Sequence, residues 1–317
     1  MAVIKAKPEK IVEFFLGMVE RELLAADVVT RVSDDFFKGA KNDTVSMRVG
    51  NLRATARDYE FRTRTAEIQF DDIEGGDTVP IKLDRHVYSA TTLTDEHFTL
   101  DNIDFATEVL TPQVEAVVGN YESKIVAAFR NSSPKATVSS TLATDPHKVA
   151  LEARRVMNIQ EVAPLSNRFF LVGASVEAAW LASDRLARYD SIGQPNSPAV
   201  REAIVGKLAG APVIPHLALD PTEAYYVHRS AFVMGSVAPV APRGATLSAK
   251  ASRNGYAARW LMDYDARYLR DRSVVSSFIG VNEIMDERDA NGDILDTGAL
   301  NVRIVPITLS GTETVLD

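Results

Sequence analysis

The stretch Asp101-Asn102-Ile103-Asp104-Phe105-Ala106-Thr107-Glu108-Val109-Leu110-Thr111-Pro112-Gln113-Val114, running on without a break to Ala127-Ala128-Phe129-Arg130, decides how the fold is read. Ala106, Leu110, Val114, Val117, Tyr121, Ile125 and Ala128 recur at helical spacing and predict one helix over 101–130. Asp101 is placed to cap its start, and Asp104 sits in the first turn, where the helix dipole favours an acid. Pro112 removes one backbone donor and predicts a kink near the beginning. At 1.5 Å per residue a continuous helix here measures roughly 45 Å, more than most globular helices. A helix of that length acts as a strut across a whole subunit.

On its N-terminal side the chain carries a second helix signal over 8–28. Pro8 suits a first helical turn, and Val12, Phe15, Leu16, Val19 and Leu23 hold helical spacing, with Ile11, Phe14 and Met18 widening the stripe. So wide a stripe fits a helix in this chain's own core, and it equally fits one docked on another subunit. A short β run follows at 44–49. Next comes a basic stretch with Arg48, Arg53, Arg57, Arg62 and Arg64, then an acidic one with Glu67, Asp71, Asp72, Glu74 and Asp77. Ile68 and Phe70 alternate with polar neighbours, as do Val79, Ile81 and Leu83 beyond the turn Glu74-Gly75-Gly76-Asp77, which predicts a hairpin with one apolar face. Two strands alone are marginal in water, so that face needs a cover from this chain or from a neighbour.

Beyond the strut, residues 131–146 are rich in Ser, Thr and Ala with two prolines and read as a linker. Signals then alternate: a helix at 147–157, a strand at 169–172, a helix at 175–188, a helix at 199–208, and strands near 213–214 and 225–228. An apolar segment follows at 231–237. Residues 239–244 mark a boundary. After it, 256–262 and 273–284 are strand-rich, and 294–309 reads as one or two further strands.

The 317 residues allow two domains, and at 46% hydrophobic and 25% charged the composition excludes collagen-like, low-complexity and wholly disordered classes. No cysteine is present, which removes disulfides, thiolate metal sites and thiol nucleophiles together. A net charge of −8 argues against nucleic-acid affinity through bulk charge. The apolar patch 11–19 contains Glu13 and is followed by Glu20-Arg21-Glu22, so it is no export signal, and nowhere do eighteen apolar residues run together.

No catalytic constellation emerges. His86, His97, His147, His216 and His228 show no metal-binding spacing. Gly173-Ala174-Ser175-Val176-Glu177 starts like a nucleophile elbow but carries Glu where Gly is required, so Ser175 reads as a helix N-cap. Gly206-Lys207-Leu208-Ala209-Gly210 lacks the Lys-Ser/Thr ending of a phosphate loop. Asp289-Ala290-Asn291-Gly292-Asp293 has its glycine at the wrong place for a calcium loop. The pairs Asp34-Asp35 and Asp71-Asp72 stand in polar surroundings that give no reason for raised acidity constants. No cofactor, no metal and no enzyme activity are expected.

The order of elements is more informative than any motif. A helix, a charged hairpin, a long helix, an α/β unit and a return to strands form an α+β layout that resembles the major capsid protein of tailed bacteriophages. Asn42-Asp43-Thr44-Val45-Ser46-Met47-Arg48-Val49 is similar to that family's lead into its extended loop. Ile81-Lys82-Leu83-Asp84, then Leu93-Thr94-Asp95-Glu96 and Leu100-Asp101, are similar to the exit and the approach to the spine helix. Gly255-Tyr256-Ala257-Ala258-Arg259-Trp260, Asp263-Tyr264-Asp265 and 273–280 resemble its late return strands. The likeness covers roughly 8–285 and assigns nothing to 286–317 beyond C-terminal strands.

The resemblance implies an N-arm at 1–43 and an extended β-hairpin loop at 44–84 lying over a neighbouring subunit. It implies a peripheral domain at 85–143 and 241–285 with the spine helix 101–130, and an axial α/β domain at 144–240. It also implies a structural subunit assembling as hexamers and pentamers into an icosahedral virion shell around double-stranded DNA, made and assembled in the host bacterial cytoplasm. The DNA would be enclosed without sequence-specific binding, and no membrane is involved. With few residues ahead of the first helix, a separate scaffolding protein is expected, together with a portal protein; decoration proteins are left open. Val12, Phe15, Leu16, Val19, Arg57, Arg62, Arg64, Asp71, Asp72 and Glu74 are the expected intersubunit contacts. An encapsulin-type compartment shell is the alternative on the same fold, and an α/β enzyme with an unrecognised site is the alternative from another class.

Overall fold

The structure, a computed structural model, describes residues 8–22, 25–32, 37, 44–48, 67, 78–94, 96, 105–142, 144–162, 164–183, 206–287 and 298–310. In chain order these form helix α1 (Pro8–Glu22), a 3-10 turn (Ala25–Val28), and strands β1 (Thr30–Val32), β2 (Thr44–Arg48), β3 (Thr78–Lys82) and β4 (Arg85–Thr94). A π-helical turn (Phe105–Leu110) runs into α2 (Thr111–Arg130), followed by β5 (Val138–Thr141), α3 (Pro146–Ile159), β6 (Arg168–Val172) and α4 (Ala174–Leu181). The remainder is strand: β7 (Lys207–Leu208), β8 (Ala211–Pro215), β9 (Glu223–His228), β10 (Phe232–Val237), β11 (Leu247–Arg253), β12 (Tyr256–Asp265), β13 (Arg270–Glu283) and β14 (Ile304–Ser310).

The strut forms much as its periodicity requires. Val114, Val117, Tyr121 and Ile125 are buried, and so are Gln113, Glu122 and Phe129. Pro112 lies in the first turn of α2, where a missing donor costs nothing. The π-helical turn gives way to α geometry at Thr111, just before that proline, while the proposed cap Asp101 lies outside the described residues.

Two six-stranded sheets flank the strut. In the first, β13 is the axis. Its residues 270–276 pair antiparallel with β12 and 278–283 with β10, while 270–279 pair on the opposite side with β4. β10 and β12 therefore lie end to end along one edge of β13. β1 adds parallel to β10, and β11 closes on β12 through Asn254-Gly255, both at positive φ, the two-residue turn whose twist matches a hairpin. In the second sheet the order is β5-β14-β9-β6-β8-β7. Side chains of β9 alternate strictly between two cores. Tyr225 and Val227 join the cluster around α1, α2 and the first sheet, while Ala224 and Tyr226 join the cluster beneath α3 and α4. Phe129 bridges the sheets, its ring 5.8 Å from Tyr225 and 4.8 Å from Phe232.

Several sequence expectations change. The linker at 131–146 contains β5, a strand paired parallel to β14. The helix expected at 199–208 ends in strand β7, with 199–205 outside the described residues. The boundary at 239–244 falls within the first sheet, since β10 pairs with β13, so an α/β unit drawn as 144–240 includes a strand of the other sheet. Residues 304–310, left without a place, run between β5 and β9. Hairpin strand 78–82 pairs with 44–48 in a two-stranded base; of the intervening 49–77 only Glu67 is among the described residues, so Ile68 and Phe70 lie outside them.

That base is clamped on the first sheet. Asn282 accepts from the Lys82 amide at 3.1 Å and donates to the Lys82 carbonyl at 3.0 Å, as a paired strand would. Ile81, Phe37, Val233 and Ile284 form a small buried cluster under it. A β-carbon on Gly280 would stand 1.9 Å from the Lys82 carbonyl oxygen. Gly280→Ala should therefore destabilise the protein by about 1–3 kcal/mol in denaturant titration, with amide exchange rising first at 44–48 and 78–82. Gly119→Ala, on the exposed side of α2 with nothing near its β-carbon, should instead stabilise by about 1 kcal/mol.

Candidate functional site

Among the described residues no group of three or more His, Asp or Glu is poised to hold a metal, and no helix is long and apolar enough to cross a membrane. A cleft of about 410 Å³ opens between α2 and the β3–β4 turn, with Asp84, Arg85, Lys124, Asn131 and Glu283 on its walls. Its walls hold no nucleophile beside a base. Ser175 is not the cap of α4; Gly173 is, and a side chain has no room there, since a β-carbon would lie 2.2 Å from the Asp220 carbonyl oxygen. His86 packs against Phe278 with tilted rings, centroids 4.6 Å apart, His147 follows the true cap Asp145 of α3, and His97 lies outside the described residues.

The polar side chains the strut buries are structural ties. The Glu122 carboxylate accepts from the Ala25 amide at 3.1 and 3.2 Å and pairs with His216 Nε2, so one acid joins the 3-10 turn, α2 and the segment after β8. His216 Nδ1 accepts from the Ala218 amide, which leaves the ring proton on Nε2, facing the carboxylate. Gln113 donates to Thr91 Oγ1 and to the Ser273 carbonyl, tying α2 to β4 and β13. Where β10 ends and β12 begins, the Ser236 and Ser277 hydroxyls lie 3.0 Å apart and both donate to the Ala257 carbonyl. The Tyr121 hydroxyl hydrogen-bonds to this pair, and burial pushes its pKa up.

Three chain crossings connect the sheets, and they meet in a polar junction. Asn301, fully buried, donates to the Ala231 carbonyl and to Glu283, while Arg303 binds Asp286 and Ser230. His228 Nδ1 lies 2.7 Å from Ser230 Oγ. Burial, then the Arg303 charge, pushes the His228 pKa down to about 4. The unfolded imidazole takes its proton near 6.5, so neutral His228 supports the fold fully above that pH. The support is lost as pH falls from 6.5 towards 4. Urea titrations should find about 2–3 kcal/mol less stability at pH 4.5 than at 7.5 from this group, and His228→Gln should remove that component.

The expected contact residues separate into two sets. Val12, Phe15, Leu16 and Val19 are 1–2% exposed and belong to this chain's own core, against α2, β11 and β12. The docked-helix reading gives way to the core reading; of the large apolar side chains on α1, Phe14 is the one turned outward. Deleting 8–28 should accordingly abolish the cooperative thermal transition. A folded, assembly-defective remnant would contradict that placement. Arg57, Arg62, Arg64, Asp71, Asp72 and Glu74 lie outside the described residues. Sequence reading missed Glu122, Gln113, Asn282 and Asn301; helical spacing puts Gln113 and Glu122 on α2's apolar side, but nothing in sequence signals the two asparagines.

With that geometry in view, comparison with known proteins is informative. No protein-family model and no curated protein matches the chain. Solved structures do. A chain from Mycobacterium phage Che8 is 15% identical, with a TM-score of 0.60 over 92% of both chains. One from the capsid of the cyanophage P-SCSP1u is 11% identical, with a TM-score of 0.59 over 92% of this chain and 89% of that one. One from the mature capsid of bacteriophage PhiM1 is 12% identical, with a TM-score of 0.53 over 92% and 88%. The chain has the α+β fold of tailed-phage capsid subunits. The layout expected from the sequence is thereby met in its architecture.

Proposed function

We propose that this chain is a major capsid protein, whose copies assemble as hexamers and pentamers into an icosahedral shell enclosing the double-stranded DNA of a tailed bacteriophage. The observation that carries the reading is the end-to-end match to a cyanophage capsid chain, 92% of this one. The pairing of 44–48 with 78–82 and its clamp to the first sheet support it, because a long stretch of chain between those strands can reach past its own subunit. The role is structural and non-enzymatic. At −8 the subunit holds DNA as contents and makes no sequence-specific contact with it. Contacts between unlike patches that close into rings generate the capsomers. In this reading 44–84 is the extended loop, α2 the spine, the first sheet the body of the peripheral domain, and the second sheet that of the axial domain. A separate scaffolding protein and a portal protein complete the assembly in the bacterial cytoplasm, and the finished subunit resides in the virion.

Electron microscopy of the native assembly tests the proposal, with nuclease-protected nucleic acid measured alongside. Large icosahedral particles with a portal vertex or protected DNA are expected. Small closed shells holding a host enzyme would replace the reading with a compartment shell, and a monomer with a small-molecule ligand would overturn it.

A further inference from the structure

The edge of a sheet presents backbone donors and acceptors that pair with any strand laid beside them, and proteins guard such edges by keeping them short or charged. Four ends of the two six-stranded sheets are guarded in this way. β1, β5 and β7 are three, four and two residues long, and β11 carries Lys250 and Arg253. β4 is the exception. It runs ten residues, Arg85–Thr94, beside β13, and among the described residues no strand pairs with its other side. From His86 to Thr94 it contains no Lys, Arg, Asp, Glu, Pro or Gly, and its Val, Tyr and Thr side chains suit an extended strand.

The two faces of β4 differ. Val87 and Leu93 are buried in the core around α2, and between them Thr91 Oγ1 accepts from Gln113. Tyr88, Ala90 and Thr92 stand on the opposite, open side, with Tyr88 68% exposed. A strand added at the free edge continues the sheet only if its apolar side falls on the helix side, which excludes every register displaced by one residue. An antiparallel second copy of β4, turned about an axis through Ala90, meets that condition. Val87 then falls opposite Leu93, Ser89 opposite Thr91, and Tyr88 opposite Thr92. Apolar meets apolar on the helix side, and an aromatic meets a β-branched residue on the open side. No like charges meet, because Arg85 lies outside these rows. Turning about Ser89 or Thr91 instead would set Val87 against Thr91 or Leu93 against Ser89.

We infer that the free edge of β4 pairs antiparallel with the same edge of a second copy of this chain, about a two-fold axis at Ala90, so that two first sheets become one. A shell made of rings brings neighbouring rings together across two-fold axes, and a contact on such an axis must be self-complementary, as this edge is. The inference rests on the shell reading above and names a contact between rings, which that reading leaves unspecified. The chain has no cysteine, so single substitutions report cleanly. Directly opposed β-carbons stand roughly 5 Å apart, whereas Tyr88 of one copy lies four residues, roughly 14 Å, along the ladder from Tyr88 of the other. Particles of Ala90→Cys treated with a short bis-maleimide should give interchain dimers at least fivefold above particles of Tyr88→Cys or of Thr92→Cys. Particles mixed from Tyr88→Cys and Thr92→Cys should recover at least a third of the Ala90→Cys level. In a second experiment Ala90→Lys or Ala90→Glu, each placing like charges on the axis, should cut particle yield at least tenfold and leave the thermal transition of the free subunit unchanged. Co-expression of the two should raise the yield threefold or more over either alone. Intact particles without the Ala90 dimer, or with dimers independent of position, would overturn the pairing and leave the shell reading in place. Slow amide exchange over 85–94 in such unlinked particles would assign the edge to a different strand and overturn it as well. Failure of the unsubstituted protein to form particles under every condition would remove both readings.

Discussion

Strand β13 is hydrogen-bonded on both sides along most of its 14 residues, and that constraint organises the molecule. Because β10 and β12 share one of its edges end to end, the ladder has a gap where one strand stops and the next starts. Ser236, Ser277 and Tyr121 fill that gap with hydroxyls. Buried backbone groups at the break would otherwise lack partners, a cost of about 1–3 kcal/mol each. The tyrosine comes from the strut, so the remedy for a break in the sheet also sets the depth at which α2 seats. On the opposite face the same strand presents Gly280 and Asn282 to the base of the excursion. One strand therefore positions α2, the paired strands 44–48 and 78–82, and the strands that lead to the second sheet.

Division of labour between apolar and polar contacts follows the geometry. Within each lobe, adhesion is apolar: α1 and α2 on the first sheet, α3 and α4 on the second. Between lobes, Phe129 and its aromatic neighbours supply contact area, while Asn301, Glu283, Arg303 and Asp286 supply direction. Hydrogen bonds of this kind contribute modestly to net stability, but leaving one member unpaired in a buried site is costly, so the lobes have few alternative relative orientations.

Much of the architecture was legible in the sequence because it rests on short-range periodicity. The strut follows from Val114, Val117, Tyr121 and Ile125, and β6 and β9 from short apolar runs with strong strand propensity. What stayed hidden depends on partners far away in the chain. Residues 138–141, Val-Ser-Ser-Thr, carry a linker's composition and become a strand because β14 lies beside them. The choice between a core helix and a docking helix for 8–22 turned on whether this chain's own sheet stood opposite, which an apolar stripe cannot say. Gly173 caps α4 where Ser175 was expected, and the carbonyl of Asp220, far along the chain, leaves no room for a side chain at that cap. The acids and arginines of 57–74 were legible as a pattern, and apart from Glu67 they lie outside the described residues.

The pairing of β14 has a consequence for how the protein is made. This strand lies between β5 and β9, joined in parallel to residues synthesised far earlier. Loops that long close slowly, and no local turn brings the partners together. While a nascent chain is still short of residue 310, β5 has no neighbour and β9 shows an unpaired edge to the cell. The second sheet is then incomplete at the stage when the first, apart from its junction contacts, can already form. The second sheet therefore closes only once residues 304–310 have been made, well after both of the strands they join.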